Sequence, residues 1–265
     1  WLAYKYYADT KYETPSYLWT VQADGSGARQ VDAAPIYGDP LWSPKANCLA
    51  YTIEQDSADG YIPTGIVKYA DITAEGIQVH TLVEEDAVMI PSFTWYRDGE
   101  SLTVSFPRTN EQAPRLEQVD LTGQRSLLYT LKDETPIDPE GLYPWAFISL
   151  KWSPDSQYLA YHIRMNSGSL TADGVATGVL NVTTKQPISL SGGLRYPQWL
   201  AFSPDNEKLA HIAGGGRDVG SNKQLEIADL SRGGRVAEQG KDGSVDTQPV
   251  WLPGEANELL FSRGP

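Results

Sequence analysis

Apolar residues fall in short runs broken by Gly, Pro, Asp and Ser, and no window shows the three-to-four-residue spacing of an amphipathic helix. One unit recurs along the chain. An aromatic residue ends an apolar run, a turn follows, and a leucine opens the next strand. The copies are Trp42-Ser43-Pro44-Lys45, Trp95-Tyr96-Arg97-Asp98-Gly99, Trp152-Ser153-Pro154-Asp155, Phe202-Ser203-Pro204-Asp205 and Trp251-Leu252-Pro253-Gly254. Seven residues after the aromatic come Leu49, Leu102, Leu159 and Leu209, and eight after the last aromatic comes Leu259. With Leu2-Ala3-Tyr4 as a sixth copy of the strand, successive leucines are 47, 53, 57, 50 and 50 residues apart. Such self-similarity is the signature of a repeat architecture.

The physics of one unit follows from its residues. Proline presets φ at the second turn position, and Asp or Gly tolerates the positions after it. Each unit then carries two further strand-like runs, such as Gly65–Ile72 with Ile77–Val83, or Gln224–Leu230 with Arg235–Glu238. They are joined by hairpin turns such as Ala74-Glu75-Gly76 and Thr184-Lys185. Four antiparallel strands per repeat, with sheets stacked so that neighbours bury each other's faces, predict an all-β propeller. The repeats fall at approximately 1–40, 41–92, 93–149, 150–197, 198–248 and a partial 249–265, all in one domain. Six copies of the second strand stand beside five inner strands and five outer hairpins. About five blades with partial ends are therefore expected, as a fragment of a ring of six or more. Trp42, Trp95, Trp152, Phe202 and Trp251 are expected to be buried between blades.

Trp152-Ser153-Pro154-Asp155, with Leu159-Ala160-Tyr161 behind it, resembles the repeat of TolB-type, WD40-like bacterial propellers, and the resemblance covers essentially the whole chain. The same repeat occurs in the propeller domains of prolyl-oligopeptidase-type peptidases. Several copies depart from it. Lys45 takes the place of the turn Asp, Tyr96-Arg97 that of Ser-Pro, Phe202 that of Trp, and Leu252 with an added residue alters the last turn. The matching residues are structural, so the resemblance speaks to fold. It implies a non-catalytic binding scaffold for a protein, peptide or glycan, at a periplasmic or cell-surface location. Two alternatives stay open: the propeller of a peptidase whose hydrolase part is absent, and a lyase or glycosidase working in the channel.

Composition narrows the chemistry. With 21 Lys+Arg against 34 Asp+Glu, the net charge of −13 argues against a nucleic-acid partner, whose phosphates need clustered cations. No apolar run is long enough for membrane insertion. One cysteine, Cys48, excludes an internal disulfide and a cysteine-based zinc site. His80, His162 and His211 fall in three different repeats without metal-ligand spacing and read as structural. No nucleophile elbow occurs. Gly214-Gly215-Gly216-Arg217-Asp218 lacks the Gly-Lys-Ser/Thr of a phosphate cradle and reads as an inter-strand loop. The acidic groups Glu84-Glu85-Asp86 and Asp133-Glu134 with Asp138 and Glu140 lack the alternating spacing of a calcium loop. No catalytic residue, metal or cofactor is expected.

The loops carry the variation. Turns after the first and third strands are short and stereotyped. The connections after the second strand (Gln55–Thr64, Phe106–Pro114, Arg164–Asp173, Gly214–Asn222) and those between repeats (Ala33–Pro40, Glu84–Ser92, Lys132–Ser149, Ser191–Pro197) are long and irregular. A propeller puts them on one face, and loops on a rigid scaffold are where binding concentrates. Tyr37, Tyr61, Arg108, Trp145, Arg164, Arg195, Tyr196 and Arg217 lie there, residue types enriched at binding hot spots.

Overall fold

The computed structural model describes residues 1–7, 9, 14–57, 60–86, 88–131, 141–216, 222–239, 245–254 and 257–264. Its strands run in chain order as β1 (Leu2–Tyr7), β2 (Ser16–Val21), β3 (Arg29–Gln30), β4 (Ile36–Trp42), β5 (Cys48–Ser57), β6 (Gly60–Ile72) and β7 (Ile77–Glu84). Next come β8 (Phe93–Trp95), β9 (Ser101–Phe106), β10 (Arg115–Asp120), β11 (Arg125–Thr130), β12 (Pro144–Trp152) and β13 (Tyr158–Met165). After a short helix α1 (Gly168–Asp173) follow β14 (Val175–Asn181) and β15 (Gln186–Gly193). A 3-10 turn (Pro197–Trp199) leads into β16 (Leu200–Phe202), β17 (Lys208–Ala213), β18 (Gln224–Asp229), β19 (Arg235–Gln239), β20 (Val245–Trp251) and β21 (Leu259–Gly264).

Four sheets have four strands in consecutive order: β4–β7, β8–β11, β12–β15 and β16–β19. Among the described residues a three-stranded sheet, β1–β3, and a two-stranded one, β20–β21, complete the set. The architecture is therefore the expected all-β one of repeated up-and-down antiparallel blades. One element was not expected. Helix α1 spans six residues, too few to show a period, and is started by Ser167, whose hydroxyl accepts from the Leu170 N–H. A second difference concerns Gln55–Thr64, expected as an irregular loop. Most of it is strand, with Gln55 opposite Ile62, Asp56 opposite Tyr61 and Ser57 opposite Gly60. The Asp59-Gly60 turn pair and the β-formers after it were the signal for this extended hairpin.

The chain divides into two compact units, residues 1–107 with 117–127, and residues 108–116 with 128–265. In the first, Cys48, Ala50, Val67 and Tyr69 from the β4–β7 sheet pack with Trp95, Leu102, Val104 and Phe106. In the second, Leu159, Tyr161 and Leu180 pack with Leu116, Tyr129 and Phe147, while Ala160 and Val179 on the opposite face meet Leu200, Phe202 and Leu209. Both faces of an inner sheet are thus buried, which is why the strands read as near-continuous apolar runs.

The repeat residues knit the sheets together. Trp95, Phe202 and Trp251 are buried, whereas Trp42 and Trp152 are half-buried and packed against core clusters. The Trp95 indole N–H donates to the Leu41 carbonyl at 2.8 Å, and the Trp251 indole does the same to Ala201 at 2.8 Å. In each case the acceptor lies one residue before the preceding repeat's aromatic, so the side chain stitches one inner strand to the next. The turns hold themselves. Ser153 donates to Asp155 at 2.7 Å and accepts from the Tyr158 N–H at 3.0 Å, and Ser203 repeats the pattern with Asp205 and Lys208. Ser156 and Asn206 close these turns at φ 61° and 66°.

Candidate functional site

A bulge repeats in the first strand of several sheets. Pairing slips between Ile148 and Lys151 in β12 and between Thr247 and Val250 in β20. Ser149 and Gln248 occupy the slips at φ 55° and 54°, three residues before Trp152 and Trp251. Bulges re-aim side chains, and non-glycine residues held at positive φ mark places where the surroundings over-determine the backbone. The Ser149 hydroxyl donates to the Arg195 carbonyl at 3.0 Å, fixing the connection after β15. Gln248 lines a cavity.

That cavity has a volume of about 500 Å³ and lies wholly within the second unit. Its wall comes from three connections and a strand: Thr171 and Ala172 of α1, Leu194 to Tyr196 after β15, Gly216 and Lys223 around the β17–β18 connection, and Val245, Thr247 and Gln248 of β20. Gln198 and Trp199 of the 3-10 turn complete it. Thr171, Ala172, Leu194 to Tyr196 and Gly216 lie in connections singled out from the sequence, whereas Lys223, the 3-10 turn and β20 do not. Tyr196 is exposed and its ring sits 4.7 Å from that of Trp199, tilted by 54°. The glycines of the third wall are required by close backbone approach: a Cβ on Gly214 would lie 2.0 Å from the Asn222 carbonyl oxygen, and one on Gly215 2.2 Å from that of Asp173. The expected loop reading of this glycine run agrees with that crowding.

A second cluster gathers on the same unit. The Arg108 N–H donates to the Trp145 carbonyl at 2.7 Å, and its Nε to the Pro144 carbonyl at 3.1 Å. Its guanidinium lies 5.5 Å from the centre of the Tyr143 ring, and that of Arg164 lies 4.5 Å from the Trp145 ring. All four side chains are half-buried. Asn166 clamps the connection by accepting from the Tyr143 N–H and donating to the Gly141 carbonyl, both at 3.1 Å. The Thr171 hydroxyl, donating to the Ser167 carbonyl at 2.8 Å and to the Met165 carbonyl at 3.5 Å, ties the cavity wall to the start of α1 and to the end of the strand bearing Arg164.

Five of the eight expected binding residues are therefore gathered in two groups, Arg108 with Trp145 and Arg164, and Arg195 with Tyr196. Tyr37 is exposed on β4 of the first unit and belongs to neither. Tyr61 stands on β6 rather than in a loop, and its side chain lies outside the described residues, as does Arg217. The acidic run Asp133, Glu134, Asp138 and Glu140 also lies outside them. Glu85 accepts from the Arg125 guanidinium. The sequence reading missed Thr171, Gln198, Trp199, Lys223, Thr247 and Gln248. Only the bulge before Trp251 could have pointed to one of them, Gln248, and a bulge is not visible in composition.

Between two sheets of the second unit lies a buried polar layer. His162 of β13 stands opposite Thr177 of β14, and His211 of β17 opposite Glu226 of β18. His162 and His211 are 2% and 1% exposed. His211 Nε2 is 3.4 Å from Glu226 Oε2, and neither atom makes a hydrogen bond. Desolvation holds both imidazoles down at about 4, for His162 with the added repulsion of His211. His162, which the sequence places in a different repeat from His211, thus feels the charge of His211. Among the described residues no group of three or more His, Cys, Asp and Glu is arranged to hold a metal ion. Nearby, burial lowers the ammonium pKa of Lys151, which donates to the Leu200 carbonyl at 2.6 Å. No helix among the described residues is long and apolar enough to cross a membrane.

No protein-family model and no curated protein matches the chain. Among solved structures it is similar to the Cps50 (Swd1) β-propeller domain of Myceliophteria thermophila, at 15% identity over 90% of this chain and 70% of that one, with a TM-score of 0.53. The fold is that of a β-propeller. Hydrazine synthase of Kuenenia stuttgartiensis is also similar, at 17% identity over 90% of this chain and 58% of that one, with a TM-score of 0.51. TolB from Acinetobacter baumannii is matched at 17% identity over 85% of this chain and 61% of that one, with a TM-score of 0.35. The chain therefore spans less than two thirds of the TolB and hydrazine synthase chains. Propellers serve many functions, so the fold leaves the role of this chain to its sites.

Proposed function

We propose that the chain is a non-catalytic binding scaffold whose partner, a protein, peptide or glycan, docks on the long connections rather than on the tight turns. The observation that carries this reading is the Arg108–Tyr143–Trp145–Arg164 cluster. A guanidinium stacked on an indole is a flat, amphipathic surface already held in place, so little side-chain freedom is lost when a partner covers it. Trp and Arg are also the residues whose truncation most often costs binding energy. The tight turns offer less, because Ser153, Asp155, Ser203 and Asp205 are occupied with their own hydrogen bonds. We include in this reading an exported location, on the TolB-type resemblance of the repeat alone.

The test compares two single variants against a partner isolated by crosslinking and then purified. Trp145→Ala should weaken its binding by about 30-fold, a typical hot-spot loss, with the circular dichroism spectrum intact. Lys45→Ala, on a tight turn, should leave binding within twofold of the parent, a rim-level effect. A crosslinked footprint on Lys45, Asp98, Asp155 and Asp205 would put the partner on the other set of turns and overturn the reading. So would turnover of a peptide or glycan abolished by a point substitution within the chain.

A further inference from the structure

We propose that this chain associates head to tail with a second copy of itself, the open face of the β1–β3 sheet in one copy stacking on the open face of the β20–β21 sheet in the other. Each unit, taken by itself, shows how neighbouring sheets meet. In the first, Leu49 and Tyr51 of β5 pack with Leu18 of β2, and Ala3 of β1 packs against the same cluster. Ala50 turns the other way, to Trp95 and Leu102 of the next sheet. In the second unit, Leu159 and Tyr161 of β13 pack with Leu116 of β10 and Tyr129 of β11, while Ala160 packs with Phe202 and Leu209 of the sheet after. Ala210 of β17 likewise meets Trp251 and Leu259. One rule covers these junctions. Side chains alternate across a strand, so the outer two residues of Leu-Ala-Tyr look back to the preceding sheet and the middle one looks forward.

Two faces lack such cover among the described residues. In β1, Leu2 and Tyr4 hold the backward-looking positions and are 57% and 39% exposed, whereas Leu49 and Tyr51 are both 0%. The register puts Val21 opposite Leu2, Trp19 opposite Tyr4 and Tyr17 opposite Tyr6, so this face is uncharged and largely aromatic. In β21, Leu260 holds the forward-looking position at 60% exposed, and Val250 opposite it is 57% exposed. Contiguous apolar surface of this kind marks an interaction site. The sense of each face says what covers it. A backward-looking face takes a forward-looking one, as at the junctions above, and this chain carries an open face of each sense. A second copy therefore presents the matching surface. Peptide addition would use a strand edge rather than a face, and these six residues include no Lys or Arg for an anionic lipid surface. The two faces differ, so the contact is heterologous and continues beyond the dimer unless it closes into a ring.

The experiment is sedimentation velocity on the purified chain over a range of concentrations. The parent should give a reversible, concentration-dependent series starting from the monomer. Leu2→Asp and Leu260→Asp alter exposed side chains, so each should keep the parent's circular dichroism spectrum. Each should weaken association at least about tenfold, because a carboxylate buried without a partner is costly. Mixed in equal amounts, the two variants should recover a dimer and nothing larger. The intact β1 face of Leu260→Asp still meets the intact β20–β21 face of Leu2→Asp. Trp145→Ala should leave association at the parent level, which separates this contact from the connections proposed to bind a partner. A parent that stays monomeric up to near-millimolar concentration overturns the proposal. So do oligomers that survive both substitutions, which place the contact elsewhere. Loss with only one of the two substitutions, or a mixture that stays monomeric, means that unlike faces do not pair, and overturns it as well.

Discussion

The same layer of the repeat is built from different residues in the two units. In the first unit the fourth residue of Leu49-Ala50-Tyr51-Thr52 is a buried threonine opposite Val67, and the third residue of the next copy, Val104, packs in the same apolar cluster as Val67. In the second unit the corresponding residues are His162, opposite Thr177, and His211, opposite Glu226. Both layers are buried, so packing alone does not distinguish them. The difference lies in what burial does to a titratable group. A valine loses nothing on desolvation, whereas an imidazole cut off from water resists its proton. A repeat can thus keep its shape while one interface acquires a pH dependence that its neighbour lacks.

The largest effect should be common to both units and so marks what they share. Trp95→Ala in the first and Trp251→Ala in the second should each lower stability by about 3–5 kcal/mol in urea unfolding. Each removes a buried indole and leaves a strand carbonyl without its donor. A loss in one unit alone would show that the stitch matters in only one of them.

Acid should separate the units next. The histidine pKa is about 6.5 unfolded and about 4 folded, so below about 6.5 the unfolded chain binds the proton more readily. The stability this represents is fully present above pH 6.5, falls as pH drops towards about 4, and levels off below that. The expected loss is about 3 kcal/mol per histidine. Hydrogen exchange followed by mass spectrometry at pH-corrected times should show it in β13, β14, β17 and β18 before β5, β6 and β9. Equal acid lability of the first unit's strands would refute the contrast.

The smallest effect sharpens the comparison most. His211→Val places in the second unit the residue that Val104 provides in the first. At pH 7.5 stability should change by less than about 1 kcal/mol, because His211 is neutral there and makes no hydrogen bond. Between pH 6.5 and 4 the denaturation midpoint should fall only about half as far as in the parent. An unchanged acid slope would remove His211 from the explanation.

Much of this molecule was legible in its residues, for a local reason. The aromatic, the proline turn and the following leucine act within ten positions of one another, so their spacing predicts strands and turns without knowledge of the rest. The extended β5–β6 hairpin was under-read although Asp59-Gly60 was visible. Helix α1 escaped because six residues carry no period. Of the eight candidate binding residues, picked as Arg and aromatic types on long connections, five gather in two groups of the second unit, which only the folded arrangement could bring together.

The amino-acid sequence by itself determined the repeat, the antiparallel blade and the residues that close each turn, since these depend on neighbours along the chain. Only the tertiary structure decided that His162 and His211, 49 positions apart, share one buried layer, and that Arg195, Lys223 and Gln248 line one cavity. The reason is geometric. Side chains alternate between the faces of a strand, and which face meets which neighbouring sheet is fixed by packing and by the bulges at Ser149 and Gln248, where a single residue at positive φ changes what the strand presents.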